Sequence, residues 1–171
     1  MSYGLELLIT KALFLIIIMA LSIFMHSFFE CIVFTFFFSL LRTISGGYHA
    51  NTRIGCFFVS MLLFVIPLST LRIVNKYNFV IIPIALLTII AVVIIFIFAP
   101  LDTPNNKLDV SEKQIFRKKA RITLLLEIGL ASIMYINFKS ITYLILFAII
   151  ESSFLIIMAS LKNVLSENKS K

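Results

Sequence analysis

"FVIIPIALLTIIAVVIIFIFA", residues 79–99, decides the class of fold. Its 21 residues include no charged side chain. A helix rises 1.5 Å per residue, so about 20 such residues cross the hydrocarbon of a bilayer. The rest of the chain is of the same kind: 61% of its 171 residues are hydrophobic and the mean hydropathy is +1.10. A soluble domain of this size cannot hide so much apolar surface. The chain is therefore expected to be an all-α, polytopic integral membrane protein of about six membrane helices, residues 1–171 forming one domain in a lipid bilayer.

Working outward, residues 54–71, "IGCFFVSMLLFVIPLSTL", make a second span that carries Pro67, followed by the short loop "RIVNKYN". The apolar region from Leu5 to Leu41 divides near His26 and Ser27 into helices over 5–25 and 28–41. The latter has about 14 residues, below the usual spanning length, and reads as short or re-entrant, as tilted, or as extended into the polar patch. Downstream, "LDTPNNKLDVSEKQIFRKKAR", residues 101–121, reads as the one sizeable hydrophilic loop, with spans over 122–138 and 140–161 and a polar tail beyond. Lys11 interrupts the start, and no small-x-small cleavage site follows, so a cleavable signal peptide is not expected.

The net charge of +7 collects in short segments between apolar runs. Taken in alternation, these segments carry eleven Lys and Arg on one side of the membrane and three on the other. The positive-inside rule then puts residues 42–53, residues 101–121 and the C-terminus in the cytoplasm. Such a distribution orients a membrane protein and does not indicate nucleic-acid binding. Two cysteines make no disulfide framework.

One stretch departs from the apolar background: "RTISGGYHANTRIGC", residues 42–56. An imidazole can deprotonate a thiol and later protonate a leaving amine, so His49 and Cys56 are the candidate catalytic pair. Seven positions apart on one straight helix they would be separated by about 10.5 Å of rise, so His49 must lie off the helix that carries Cys56. Gly46 and Gly47 supply a turn, and Asn51 or Thr52 can cap a helix that begins just before Cys56. Cys56 would then sit where the helix dipole favours a thiolate. Arg42 and Arg53 add positive potential, suited to holding a carboxylate or orienting backbone carbonyls.

Other polar residues have plainer readings. Cys31, in an apolar helix, is a small buried hydrophobe, and His26 is a packing or interfacial residue. His26, Cys31, His49 and Cys56 lack the short spacing of zinc motifs, so no metal or other cofactor is expected. Glu127 and Glu151 fall inside the last two spans, where a carboxylate is costly and draws functional suspicion. Glu127 has a candidate partner in Arg121, and Glu151 is read as facing a seam with Ser152 and Ser153 or a dimer partner.

The patch Arg42, Gly46-Gly47, His49 and Cys56, followed by Ser60, resembles the signature region of accessory gene regulator B (AgrB) proteins, bacterial membrane cysteine endopeptidases of quorum sensing. "FAPLDTPNNK" is similar to the Ala-Pro-x-Asp-Thr stretch that precedes the family's basic cytoplasmic loop, departing from it where Leu108 follows Lys107. The resemblance implies an AgrD-like propeptide as partner, whose acidic C-terminal tail is removed. Cys56 would attack the carbonyl joining signal segment to tail, with His49 as base and then acid. The resulting thioester would be opened by a Cys or Ser within the peptide, closing a thiolactone or lactone ring. Arg42 would serve electrostatics, Gly47 the turn that brings His49 round, and Ser60 the orientation of the site. Lys107, Arg117, Lys118, Lys119 and Arg121 would attract the acidic tail, although an orientation signal touching anionic lipid explains the same cluster. A homodimer is also implied. The competing readings are a small peptide transporter that uses Glu127 and Glu151, and a non-enzymatic membrane scaffold in which the patch is only a hinge.

Overall fold

The structure is a computed structural model that describes residues 2–48, 52–76, 81–101 and 109–169. Among them run six α-helices: α1 (Ser2–Phe24), α2 (Phe28–Ser45), α3 (Arg53–Lys76), α4 (Ile81–Phe98), α5 (Val110–Met134) and α6 (Lys139–Lys169). Phe28–Ser45, Gly55–Val74 and Lys139–Leu165 are long and apolar enough to cross a membrane, and Leu15–Phe24 and Ile82–Phe98 are shorter apolar helices. The chain is an all-helical membrane protein, as its composition requires.

One open reading is decided and one expectation is corrected. Of the readings open for the 28–41 segment, extension into the polar patch is the one seen: α2 runs on to Ser45, giving 18 residues and a spanning candidate. Polar Arg42 and Thr43 do not break a helix; Gly46, at φ +71°, does. Residues 110–121 are helix, not loop. The carboxylate of Glu112 accepts the Asp109 N–H at 3.2 Å, and the Lys113 N–H donates to the Asp109 carbonyl at 2.8 Å. This Asp-x-x-Glu start is a helix signature written in the sequence. Hydrophilicity hid it, because Lys, Arg, Gln and Glu are polar and yet good helix formers.

The centre of the bundle is α6, which packs against α2, α3, α4 and α5. It is buried on nearly all sides, through Leu144, Ile145, Ala148, Ile149 and Ile156 and also through Glu151 and Ser152. By contrast α4 buries a single stripe, Ile84, Thr88, Ala91 and Ile95, at the three-to-four spacing of one helix face. Its Ile82, Leu86, Ile89, Ile90, Val93 and Ile97 are exposed, as suits a helix facing lipid.

Hydrogen bonds tie the two ends of the bundle. At one end Arg72 donates to the Met25 carbonyl in the α1–α2 turn, and Thr142 donates to the Ala131 carbonyl at 3.2 Å across the α5–α6 hairpin. At the other end the chain leaving α2 meets the chain leaving α4: the Leu101 N–H donates to the Ser45 carbonyl at 3.1 Å, and Gly46 and Leu101 form a parallel bridge. The same segment reaches α6, where the Tyr48 N–H donates to the Leu155 carbonyl at 3.0 Å.

Candidate active site

Thr52 caps α3. Its hydroxyl oxygen accepts the Gly55 N–H at 3.1 Å, and its carbonyl accepts the Cys56 N–H at 3.0 Å. Cys56 therefore lies in the first turn of α3. Its side chain is half-buried and lines a cavity of about 350 Å³. Arg42, Tyr48 and Ser60 line the same cavity, together with apolar walls from α1, α2, α3 and α6.

Arg42 has a specific place in this arrangement. Its Nη1 donates to the Gly46 carbonyl at 2.7 Å and its Nη2 to the Tyr48 carbonyl at 2.5 Å. One planar guanidinium thus grips both ends of the Gly46–Tyr48 turn, the kind of fixed two-point contact that an ammonium cannot reproduce. The same group is close enough to Cys56 for Coulombic attraction to a thiolate. The turn needs its glycines. Gly47 has φ +131°, and a Cβ there would lie 2.1 Å from Arg42 Nη1. At Gly46 a Cβ would come within 2.7 Å of the Leu101 carbonyl oxygen. The turn is further held from α6, where Lys162 Nζ lies 5.2 Å from the Tyr48 ring centroid.

The structure brings Arg42, Cys56 and Ser60 onto one cavity and sets Gly47 against Arg42. His49, Asn51 and Lys107 lie outside the described residues; His49 follows directly on Tyr48, whose carbonyl Arg42 holds. Arg117, Lys118 and Lys119 are exposed on the first half of α5. Successive helical residues turn by about 100°, so these three point in different directions. Lys119 leans over the Phe116 ring at 5.7 Å. Arg121 turns away to α4, its guanidinium carbon 4.0 Å from the Phe96 ring centroid and Nη2 3.4 Å from the Phe96 carbonyl.

Arg121 is therefore engaged with Phe96, and no pairing with Glu127 is seen. Both carboxylate oxygens of Glu127 and of Glu151 are buried with no hydrogen-bond partner among the described residues. Glu151 lies inside its own bundle, and its neighbour Ser153 donates to the Ile150 carbonyl at 2.7 Å. Cys31 is fully buried beside Phe34 in the core. His26 is exposed in the α1–α2 turn at φ +52°. Sequence reasoning passed over Tyr48, Leu101, Leu155 and Lys162, the residues that moor the turn. Their contacts are made across the bundle, and no local pattern announces them.

Helices and cavity together define a polytopic membrane protein with a half-buried cysteine opening on a cavity at one end of its bundle. Residues 1–158 match the family model for accessory gene regulator B, and the chain belongs to that family. Membership bears out the resemblance and connects the chain with agr quorum-sensing peptide processing, with an AgrD-related partner and with the membrane. Comparison with curated proteins and with solved structures gives no match. The two stretches that carried the resemblance meet in space, through Ser45–Gly46 and Leu101.

Proposed function

We propose that the chain is a membrane-embedded cysteine endopeptidase that removes the C-terminal tail of an AgrD-like propeptide on the cytoplasmic side of a bacterial cell membrane. The observation that carries the reading is Cys56 at the start of α3, opening on a cavity whose rim is a glycine turn clamped by Arg42 and leading directly into His49. The Cys56 thiolate attacks the carbonyl carbon at the junction of signal segment and tail. His49 takes the thiol proton and delivers it to the leaving amine as the C–N bond breaks. A thioester on Cys56 and a free tail result. A Cys or Ser of the same peptide then attacks the thioester carbonyl, closing a thiolactone or lactone ring and returning the thiol. Thioester exchange conserves the activation that hydrolysis would discard.

Arg42 serves this chemistry twice, by fixing the turn before His49 and by attracting the thiolate. Gly47 gives the guanidinium its space, and Ser60, one turn beyond Cys56, helps to orient the bound chain. Exposed Arg117, Lys118 and Lys119, with Lys107, attract the acidic tail, whereas Arg121 anchors α5 to α4. The propeptide approaches along the bilayer by its amphipathic helix, and the enzyme works as a homodimer of single-domain chains.

The test is co-expression with an acidic-tailed AgrD-like precursor, following precursor mass beside Cys56→Ala. Tail release and a thioester-linked species that both need Cys56 support the reading; equal processing by the variant overturns it. One observation favours a second reading, peptide export: Glu127 and Glu151 are buried without partners among the described residues. Export predicts that Glu127→Gln and Glu151→Gln abolish peptide output and that Cys56→Ala does not.

A further inference from the structure

The cavity beside Cys56 runs inward along two helices. On α3, Cys56 is at the rim, Val59 and Ser60 are one turn further, and Leu63 and Phe64 are two turns further. On α2, Arg42 is at the rim and Phe38 is one turn further in. Two helical turns are about 11 Å, so the cavity descends that far from the thiol; its lining is mostly apolar, and the Ser39 and Thr35 hydroxyls on the α2 wall are bonded to carbonyls of their own helix. Its inner wall is firm. Phe64 is buried, meets the Phe34 ring edge-on at 5.2 Å and lies 6.4 Å from the Phe38 ring. A volume of about 350 Å³ is at the small end of ligand pockets, fitting one or two side chains but not a folded peptide.

An acyl group bonded to Cys56 Sγ places its own side chain next to this opening. We propose that the cavity is an acyl pocket: it takes a large apolar side chain from the residue whose carbonyl is joined to Cys56, and by filling with it keeps water from the thioester. The inference rests on the thioester reading above. Two reactions compete for that thioester. In ring closure the peptide's own thiol or hydroxyl bonds to the carbonyl carbon, the C–S bond to Cys56 breaks, and the proton goes to Cys56 Sγ. In hydrolysis water supplies the oxygen, the same bond breaks, and a linear acid leaves. A filled apolar pocket excludes water, leaving the tethered nucleophile as the effective competitor. Phe38 and Val59, half-buried on facing walls, then set both the preferred side chain and the ratio of linear to cyclic product.

The experiment uses the full chain in proteoliposomes and synthetic precursors, each with an amphipathic N-terminal helix, one internal Cys and an acidic tail, and with Ala, Leu or Phe at the acyl position. Mass spectrometry reads released tail, ring and linear peptide for the wild type, Phe38→Ala, Val59→Phe and Cys56→Ala. The wild type is expected to release tail fastest from the Leu and Phe precursors and to give mainly ring. Phe38→Ala should raise the linear-to-ring ratio about tenfold or more, and Val59→Phe should shift preference towards Ala. The wild-type substrate series tests the pocket even if a variant fails to fold. If tail is released with Cys56 intact but neither acyl side chain nor variant alters preference or ratio, the pocket is wrong and the protease reading stands. If the wild type releases no tail, or Cys56→Ala releases it as well, the protease reading fails and the pocket with it.

Discussion

The two cysteines occupy opposite environments. Cys31 sits in α2 with no exposed surface, against Phe34 and other core side chains, and its backbone carbonyl accepts the Thr35 hydroxyl at 2.6 Å. Cys56 is half-buried, faces a cavity and has a guanidinium within Coulombic range. A thiol deep in apolar packing is inert, whereas one that opens on a cavity can meet a substrate carbonyl. The same side chain is therefore packing material in one place and a candidate nucleophile in the other. Both are the fourth residue of their helix, each N–H donating to the cap carbonyl at 3.0 Å, so burial and access to the cavity make the difference.

The largest expected effect puts that contrast at risk directly. Cys56→Ala should lower tail release by at least about a thousandfold, as loss of a nucleophile does, while Cys31→Ala leaves release within about threefold and costs about 1 kcal/mol of stability. Processing assays and thermal melts in detergent decide it; a severe activity loss at Cys31 with an unchanged melt would break the comparison. Next comes chemical reactivity: a small maleimide should label Cys56 on the order of a hundred times faster than Cys31 in the folded protein, the two rates converging on denaturation.

Two substitutions sharpen the part played by the turn. Gly47→Ala introduces a Cβ at φ +131° into the place of Arg42 Nη1. Tail release should fall about a hundredfold, since small displacements of catalytic groups cost that much, with Cys56 labelling nearly unaltered. Arg42→Lys keeps the charge but loses the two-carbonyl grip, and a drop of about tenfold in kcat is expected. Were Arg42→Lys silent and Arg42→Gln severe, charge alone would account for Arg42. Ser60→Ala, removing one polar group from the cavity wall, should alter release by only about two- to threefold.

Much of this architecture was legible from residue order alone. The membrane class follows from runs such as 79–99, and the site region from one polar patch in an apolar chain. The α5 start was legible too, in Asp109 and Glu112, but composition argued against it. Hydropathy also misleads about position. The most uniformly apolar helix, α4, lies at the periphery, while α6, carrying Glu151 and Ser152, is the hub. In a bilayer the outside is as apolar as the core, so polarity marks the interior.

Sequence by itself determined that this chain lives in a membrane, which family it belongs to, and that Cys56 follows a glycine turn with Asn51 or Thr52 placed to cap its helix. Each of these depends on neighbours along the chain: apolar run length, short motifs, a cap three residues from its target. Only the tertiary structure decided that Arg42 grips the turn, that α6 and the chain after α4 moor it, that Arg121 turns to Phe96, and that the space beside Cys56 is deep and mostly apolar. These depend on which helix faces are brought together. Six apolar helices can pack in many ways that local pattern does not distinguish, and interhelical packing and hydrogen bonds select among them.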